Sequence, residues 1–169
     1  CLGSTGPKYL RLDAQVLPVL YEALPVMLDS GFHVLRKGVE ICLLATGYMV
    51  HTALNVADRL SASGLSVGVV DLFDLSEFSE NQLGSVISSY KGVVTLEEGF
   101  RGRGGMDAMM FDYVSRCKIK IRMLNIGVEA KYHFELGERL VLHERVGIGP
   151  ESVLKNIESF IETFPDVVC

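Results

Sequence analysis

The stretch "VVTLEEGFRGRGG", residues 93–105, gathers the residue types best suited to chemistry. An apolar run ends in Glu97 and Glu98, after which Arg101 and Arg103 alternate with glycines. Two carboxylates can form an acid–base pair, and glycine turns after strands can cradle phosphate. On a strand, neighbouring side chains point to opposite faces, so Glu97 and Glu98 cannot both face one substrate. Two readings stand. One of the two acts on a ligand, or both pair with Arg101, Arg103 or a neighbouring chain. The dinucleotide fingerprint G-x-G-x-x-G starts at Gly102 and Gly104, but Asp107 takes the third glycine position. The Walker loop is absent.

A second candidate is Thr46-Gly47, between an apolar run and a helical pattern. Backbone amides there can hold an anion, or Thr46 is an ordinary N-cap residue. His51 falls on the outward face of the following helix and reads as solvated. The four histidines show no HxxH or HxxxH spacing, and the four cysteines no CxxC, so no metal site is expected. Cys42 and Cys117 sit in apolar surroundings and are expected as core thiols, in keeping with a reducing, cytoplasmic setting.

The elements that must position these residues follow from hydrophobic periodicity. The 169 residues are 49% hydrophobic and 22% charged, the make-up of a globular domain with a tail or linker. A net charge of -5 argues against a nucleic-acid partner, and no apolar run is long enough for a membrane span. "VEICLLAT" (39–46), "LSVGVVDL" (65–72) and "GVVTLEE" (92–98) read as strands buried on both faces. Met49, Ala53, Val56, Ala57 and Leu60 form one helical face that Gly64 ends. Ser79 and Gln82 have capping-box spacing before Leu83, Val86, Ile87 and Tyr90. Met106, Met109, Met110, Tyr113, Val114 and Cys117 make another stripe, read as core. "KIKIRML" (118–124) alternates strictly and reads as an edge strand blunted by lysines. Pro150 starts a last helix along Val153, Ile157, Phe160, Ile161 and Phe164, which Pro165 stops. "KYLRL" (8–12) reads as a strand, residues 13–31 as a linker laid on a surface, and "FHVLRKG" (32–38) as a short strand. Alternating strands and helices predict a doubly wound α/β sheet.

Several of these segments, in order, resemble the C-terminal domain of transketolase-like enzymes. They are "LRKGVEICLLATGYMVHTALNVADRLSASGLSVGVVDL" (35–72), "VVTLEEGFRGRGGMDAMMFDYV" (93–114) and "MLNIG" (123–127). The last is closest to 1-deoxyxylulose-5-phosphate synthase, whereas "ATGYMVHTAL" is also similar to the beta subunit of the 2-oxoacid dehydrogenase first component. "GPKYLRL" (6–12) looks like the last strand of a preceding pyrimidine-binding domain. The resemblance implies a three-layer α/β/α fold with a mostly parallel five-stranded sheet, order 1-3-2-4-5, strand 1 antiparallel. It divides the chain into residues 1–31, the end of the preceding domain and a linker, and 32–169, the C-terminal domain. The carried-over strands are about 32–36, 39–45, 66–71, 93–97 and 119–124.

The resemblance also implies a parent enzyme that transfers two-carbon ketol units with thiamine diphosphate and Mg, as a homodimer or with an N-terminal transketolase partner. The cofactor motifs belong to the preceding domains, so no catalytic, cofactor-binding or metal-ligating residue is assigned to this chain. Its expected role is dimerisation and one wall of the active site, as a fragment or part of a split subunit. The alternatives are a small-anion-binding or regulatory module, or the matching domain of a 2-oxoacid dehydrogenase or oxidoreductase subunit. In the family order the second and fourth strands are neighbours. A small-ligand site is then expected at the topological switch point, formed by Thr46, Gly47, Glu97, Arg101 and Gly104. Where relatives place a phosphate-binding arginine after the early strand, this chain has Asp13, Ala14 and Gln15. Arg11 lies nearby at the wrong strand parity. The parent is therefore expected to use a non-phosphorylated substrate or to bind phosphate from elsewhere.

Overall fold

The computed structural model describes residues 5–7, 9–10, 12–22 and 28–164. Five strands, β1 (Phe32–Arg36), β2 (Ile41–Ala45), β3 (Val67–Leu72), β4 (Gly92–Phe100) and β5 (Arg122–Val128), form one sheet in the order β1-β3-β2-β4-β5. β1 runs antiparallel to β3, and the other pairs are parallel. Five helices flank the sheet: α1 (Met49–Ala62), α2 (Glu80–Ile87), α3 (Met106–Arg116), α4 (Arg139–Arg145) and α5 (Pro150–Glu162). The expected topology holds in full.

Strand periodicity builds two cores. Ile41, Leu43 and Ala45 of β2, with Val94 and Leu96 of β4, pack on one face against α1 and α5. Cys42 and Leu44, with Val93, pack on the other against α2 and α3. β2 is fully buried because it lies between β3 and β4 and is covered on both faces. The same parity continues past Leu96. It sends Glu97 toward α3 and Glu98 toward α1, as expected for adjacent strand residues.

The helix signals mostly hold. α1 closes at Ser63, and Gly64 (φ +90°) donates its amide to Ser61 O, a left-handed glycine ending. α5 begins at Pro150 as expected; Pro165, expected to stop it, lies outside the described residues. The Ser79 side chain makes no capping hydrogen bond, so the capping box does not form, although α2 starts at Glu80 as that spacing suggested.

Three expectations are corrected. The edge strand runs from Arg122 to Val128 instead of 118–124. Residues 118–121 are the exit of α3: Lys118 adopts φ 54° and the Ile119 amide donates to Val114 O. Ile119 and Ile121 still pack on the second core, which explains their alternation. Cys117 is exposed because it is the C-cap residue of α3, whereas Cys42 is fully buried. Tyr9, Leu10 and Leu12 of the early "KYLRL" run are exposed and outside any strand. A strand needs a hydrogen-bonded neighbour, and none is present for them among the described residues. Lys8 and Arg11, and residues 23–27 of the linker, lie outside the described residues.

Candidate functional site

The opening stretch becomes β4 and the turn into α3, and its acids separate. Glu97 is buried under the start of α3. Its Oε2 accepts the Met106 amide at 3.1 Å, and its Oε1 accepts the Asp107 amide at 2.9 Å. These are two of the donors that a helix start leaves unpaired. Asp107 is buried beside it and accepts the Gly102 and Ala108 amides, each at 2.6 Å. The turn is therefore closed on itself by two carboxylates, and the chain's own acid fills the anion position at this helix start. Burial pushes the Glu97 carboxyl above the usual glutamate range, and the Asp107 charge adds to this against the two amides.

The glycines serve that closure. Gly102 (φ +71°) and Gly104 (φ +87°) take left-handed backbone. Gly105 must lack a side chain, because a Cβ there would fall inside the contact distance of the Glu97 carboxylate. Asp107, which breaks the dinucleotide fingerprint, is the residue that latches the turn.

Of the five candidates, Glu97 has both oxygens occupied. Arg101 and Gly104 are exposed, and the Arg101 amide donates to Val128 O at 2.8 Å. Thr46 is half-buried at the end of β2, where its amide donates to Leu96 O at 3.3 Å. Gly47 is exposed with φ +57°. The first α1 amides, from Met49, Val50 and His51, donate to the carbonyls of Thr46, Gly47 and Tyr48 at 3.0–3.2 Å. α1 has no side-chain cap, and Tyr48 occupies the N-cap position.

Glu98 gathers the chemistry on the opposite face. It accepts Arg139 Nε at 3.0 Å, Arg139 Nη2 at 3.2 Å and His143 Nε2 at 2.9 Å. An ionised carboxylate only accepts, so His143 Nε2 carries the hydrogen; its buried Nδ1 has no hydrogen-bond partner among the described residues. Tyr48 lies beneath both, its ring centroid 4.0 Å from the Arg139 guanidinium carbon and 5.2 Å from the His143 ring. Neither glutamate pairs with Arg101 or Arg103 through its side chain in any of these contacts.

Two residues that precede β1 complete the cluster. Arg139 Nη2 meets Asp13 at 2.7 Å, and Arg139 Nη1 donates to Gln15 Oε1 at 2.9 Å. Farther along, the Tyr21 hydroxyl donates to Asp71 at the end of β3, and the Tyr21 ring meets His33 edge-on. His51 is not simply solvated. It is half-buried, 6.0 Å from the Tyr48 ring, and burial lowers its pKa against the nearby Asp71 and Asp13 charges.

Sequence periodicity missed Arg139 and His143 because α4 has only seven residues and its apolar Leu140 and Val141 are exposed. The available signal was the i, i+4 spacing of Arg139 and His143, which places both on one helix face.

The Glu98 network has a pH signature. The His143 hydrogen bond, followed by those of Arg139 and its charge, holds the Glu98 carboxyl below the usual glutamate range, against burial. A lowered folded pKa means the contribution is complete above the unfolded value of about 4.3 and is lost as pH falls through the folded one. Urea midpoints should therefore drop on acidification below that value, and Glu98→Gln should flatten the drop. Equal acid sensitivity in both chains would contradict this account of Glu98.

Comparison with known proteins fits this architecture. The family model described as "Transketolase, C-terminal domain" matches residues 31–153. A 1-deoxy-D-xylulose-5-phosphate synthase of Chlamydia felis (strain Fe/C-56) is 28% identical over 140 residues, covering 79% of this chain and 21% of that protein. An apulose-4-phosphate transketolase subunit of Actinobacillus succinogenes is 28% identical over 153 residues, covering 88% of this chain and 48% of that protein. A solved split-gene transketolase, described as an inactive beta4 tetramer, superposes with a TM-score of 0.74 at 24% identity, over 86% of this chain and 46% of that one. At that identity the likeness speaks for the fold. The chain thus spans between about a fifth and a half of the length of these relatives. With the sheet order β1-β3-β2-β4-β5 and a match over residues 31–153, the chain belongs to the transketolase C-terminal domain family.

Proposed function

We propose that this chain is the C-terminal part of a thiamine-diphosphate-dependent, transketolase-like enzyme that transfers two-carbon ketol units. The observation that carries the reading is the family match over residues 31–153 in a chain spanning only part of its relatives. Residues 32–169 form the C-terminal domain, and residues 1–31 join it to a pyrimidine-binding domain, on the same polypeptide or in a partner. The domain's contribution is association and one wall of the active-site region, and the parent enzyme works in the cytoplasm. Among the described residues no helix is long and apolar enough to cross a membrane.

We assign the cofactor to the preceding domains and not to this chain. Among the described residues no group of three His, Cys, Asp or Glu side chains is placed to hold a metal ion. Glu97, at the turn into α3, is fixed on the α3 amides. No chemical step is therefore assigned to these residues. Support for association comes from the stretch after β5, where Tyr132, Phe134 and Leu136 are 88%, 84% and 90% exposed. Such apolar exposure marks an interaction surface.

The test is reconstitution. The chain should co-purify with a polypeptide carrying the thiamine- and pyrimidine-binding domains of its parent, and the complex should transfer ketol units. Failure of the two to associate, with each folded, would sink the reading.

A further inference from the structure

Arg139 is held in place from inside the domain. Its Nε and Nη2 donate sideways to Glu98 of β4, and its plane rests on Tyr48 of the turn between β2 and α1. Neither partner belongs to the segment that precedes the domain. The outer end of the fork meets two oxygens from that segment, Asp13 Oδ2 on Nη2 at 2.7 Å and Gln15 Oε1 on Nη1 at 2.9 Å. Two oxygens on the two terminal nitrogens form the pattern that one carboxylate or phosphate makes with a guanidinium. Asp13 and Gln15 are also tied to each other, since the Gln15 amide donates to Asp13 Oδ1 at 2.8 Å. They act as one two-oxygen ligand.

We propose that the outer edge of Arg139 is an oxyanion subsite, for a carboxylate or phosphate group, that the chain's own Asp13 and Gln15 occupy. The segment carrying these residues is a strap. It is anchored at one end on Arg139 beside the end of β4 and at the other by Tyr21 on Asp71 at the end of β3. β2 lies between those strands, so the strap crosses the carboxyl end of β2, the switch point of the sheet. Its middle is loosely held, with Val16 and Val19 103% and 86% exposed, while Leu20 packs on the first core. The Asp13 end can therefore leave without unpacking the domain. Glu98 and Tyr48 would keep the fork aimed at the vacated position. An entering oxyanion replaces Asp13 charge for charge, and no covalent step is involved.

The test uses the full 169-residue chain. Wild type and the double variant Asp13→Ala/Gln15→Ala are titrated with inorganic phosphate and with acetate at constant ionic strength, with chloride as control. Binding is followed through the backbone amide resonances by NMR, a readout present in every variant. The double variant should bind at least one of the two anions about tenfold or more tightly than wild type, the effect of one charged hydrogen bond no longer contested. Adding Arg139→Lys, which keeps the charge and removes the fork, should cancel the gain. The ratio of acetate to phosphate affinity identifies the oxyanion class. Equal affinity in the two chains, no saturable binding, or a gain that survives Arg139→Lys would overturn the proposal. Asp13→Asn, which keeps the shape and removes the charge, is the second route and should show a smaller gain in the same direction.

Discussion

Replacing Glu97 with alanine should lower the unfolding free energy by about 2–4 kcal/mol, read from urea denaturation followed by circular dichroism. The Met106 and Asp107 amides lose their acceptors in a buried place. Each such loss costs about 1–3 kcal/mol, and a void opens between Gly99, Gly105 and α3, whose glycines fit against the Glu97 carboxylate. Relief of burial and of the Asp107 repulsion works in the opposite direction and keeps the net below the simple sum. The deficit should depend on pH. The folded pKa of Glu97 is raised, so its favourable contribution is complete below the unfolded value of about 4.3 and declines as pH rises through the folded value. The gap between wild type and Glu97→Ala should thus narrow as pH rises from the unfolded value through the folded one. An alanine variant as stable as wild type would mean that Glu97 is not the support of α3.

The second large effect is expected from Arg139→Ala. Arg139 balances Glu98, whose side chain is only 19% exposed, and holds Asp13 and Gln15. Removing one member of a buried ion pair leaves the other charge uncompensated. Because the pair is partly solvated and His143 still donates to Glu98, the expected loss is about 1–3 kcal/mol. The Tyr48 stacking partner is lost as well. The segment around Asp13 should also become more open to limited proteolysis and amide exchange, with little change in β2 or β3. Unchanged protection of residues 12–22 would show that the strap is held by contacts other than Arg139.

The sheet and its flanking helices were readable because their signals repeat. "ICLLA" is apolar at every position, since β2 is covered on both faces, and α1 and α5 carry long one-sided stripes. The edge strand was misplaced by four residues at its start because Ile119 and Ile121 are half-buried against the second core without being in a strand. Alternation reports burial, and the turn at Lys118 delivers the same alternation without sheet pairing. The opposite facing of Glu97 and Glu98 followed from strand parity alone. Their partners did not, because Arg139 lies 41 residues beyond Glu98 in a helix too short for a period to show. No local pattern encodes a contact between the end of one strand and one turn of a distant helix. The glycine loop illustrates the same limit. Its composition suggested a ligand cradle, yet Asp107 and Glu97 fill it from within.

The central claim is that the chain supplies a supporting domain and leaves thiamine chemistry to the domains before it. Titration calorimetry with thiamine diphosphate and Mg on the isolated 169-residue chain tests this most directly. The account predicts no heat beyond dilution for this chain, and saturable binding once the preceding domains are present. A micromolar affinity of the isolated chain for the cofactor would contradict it.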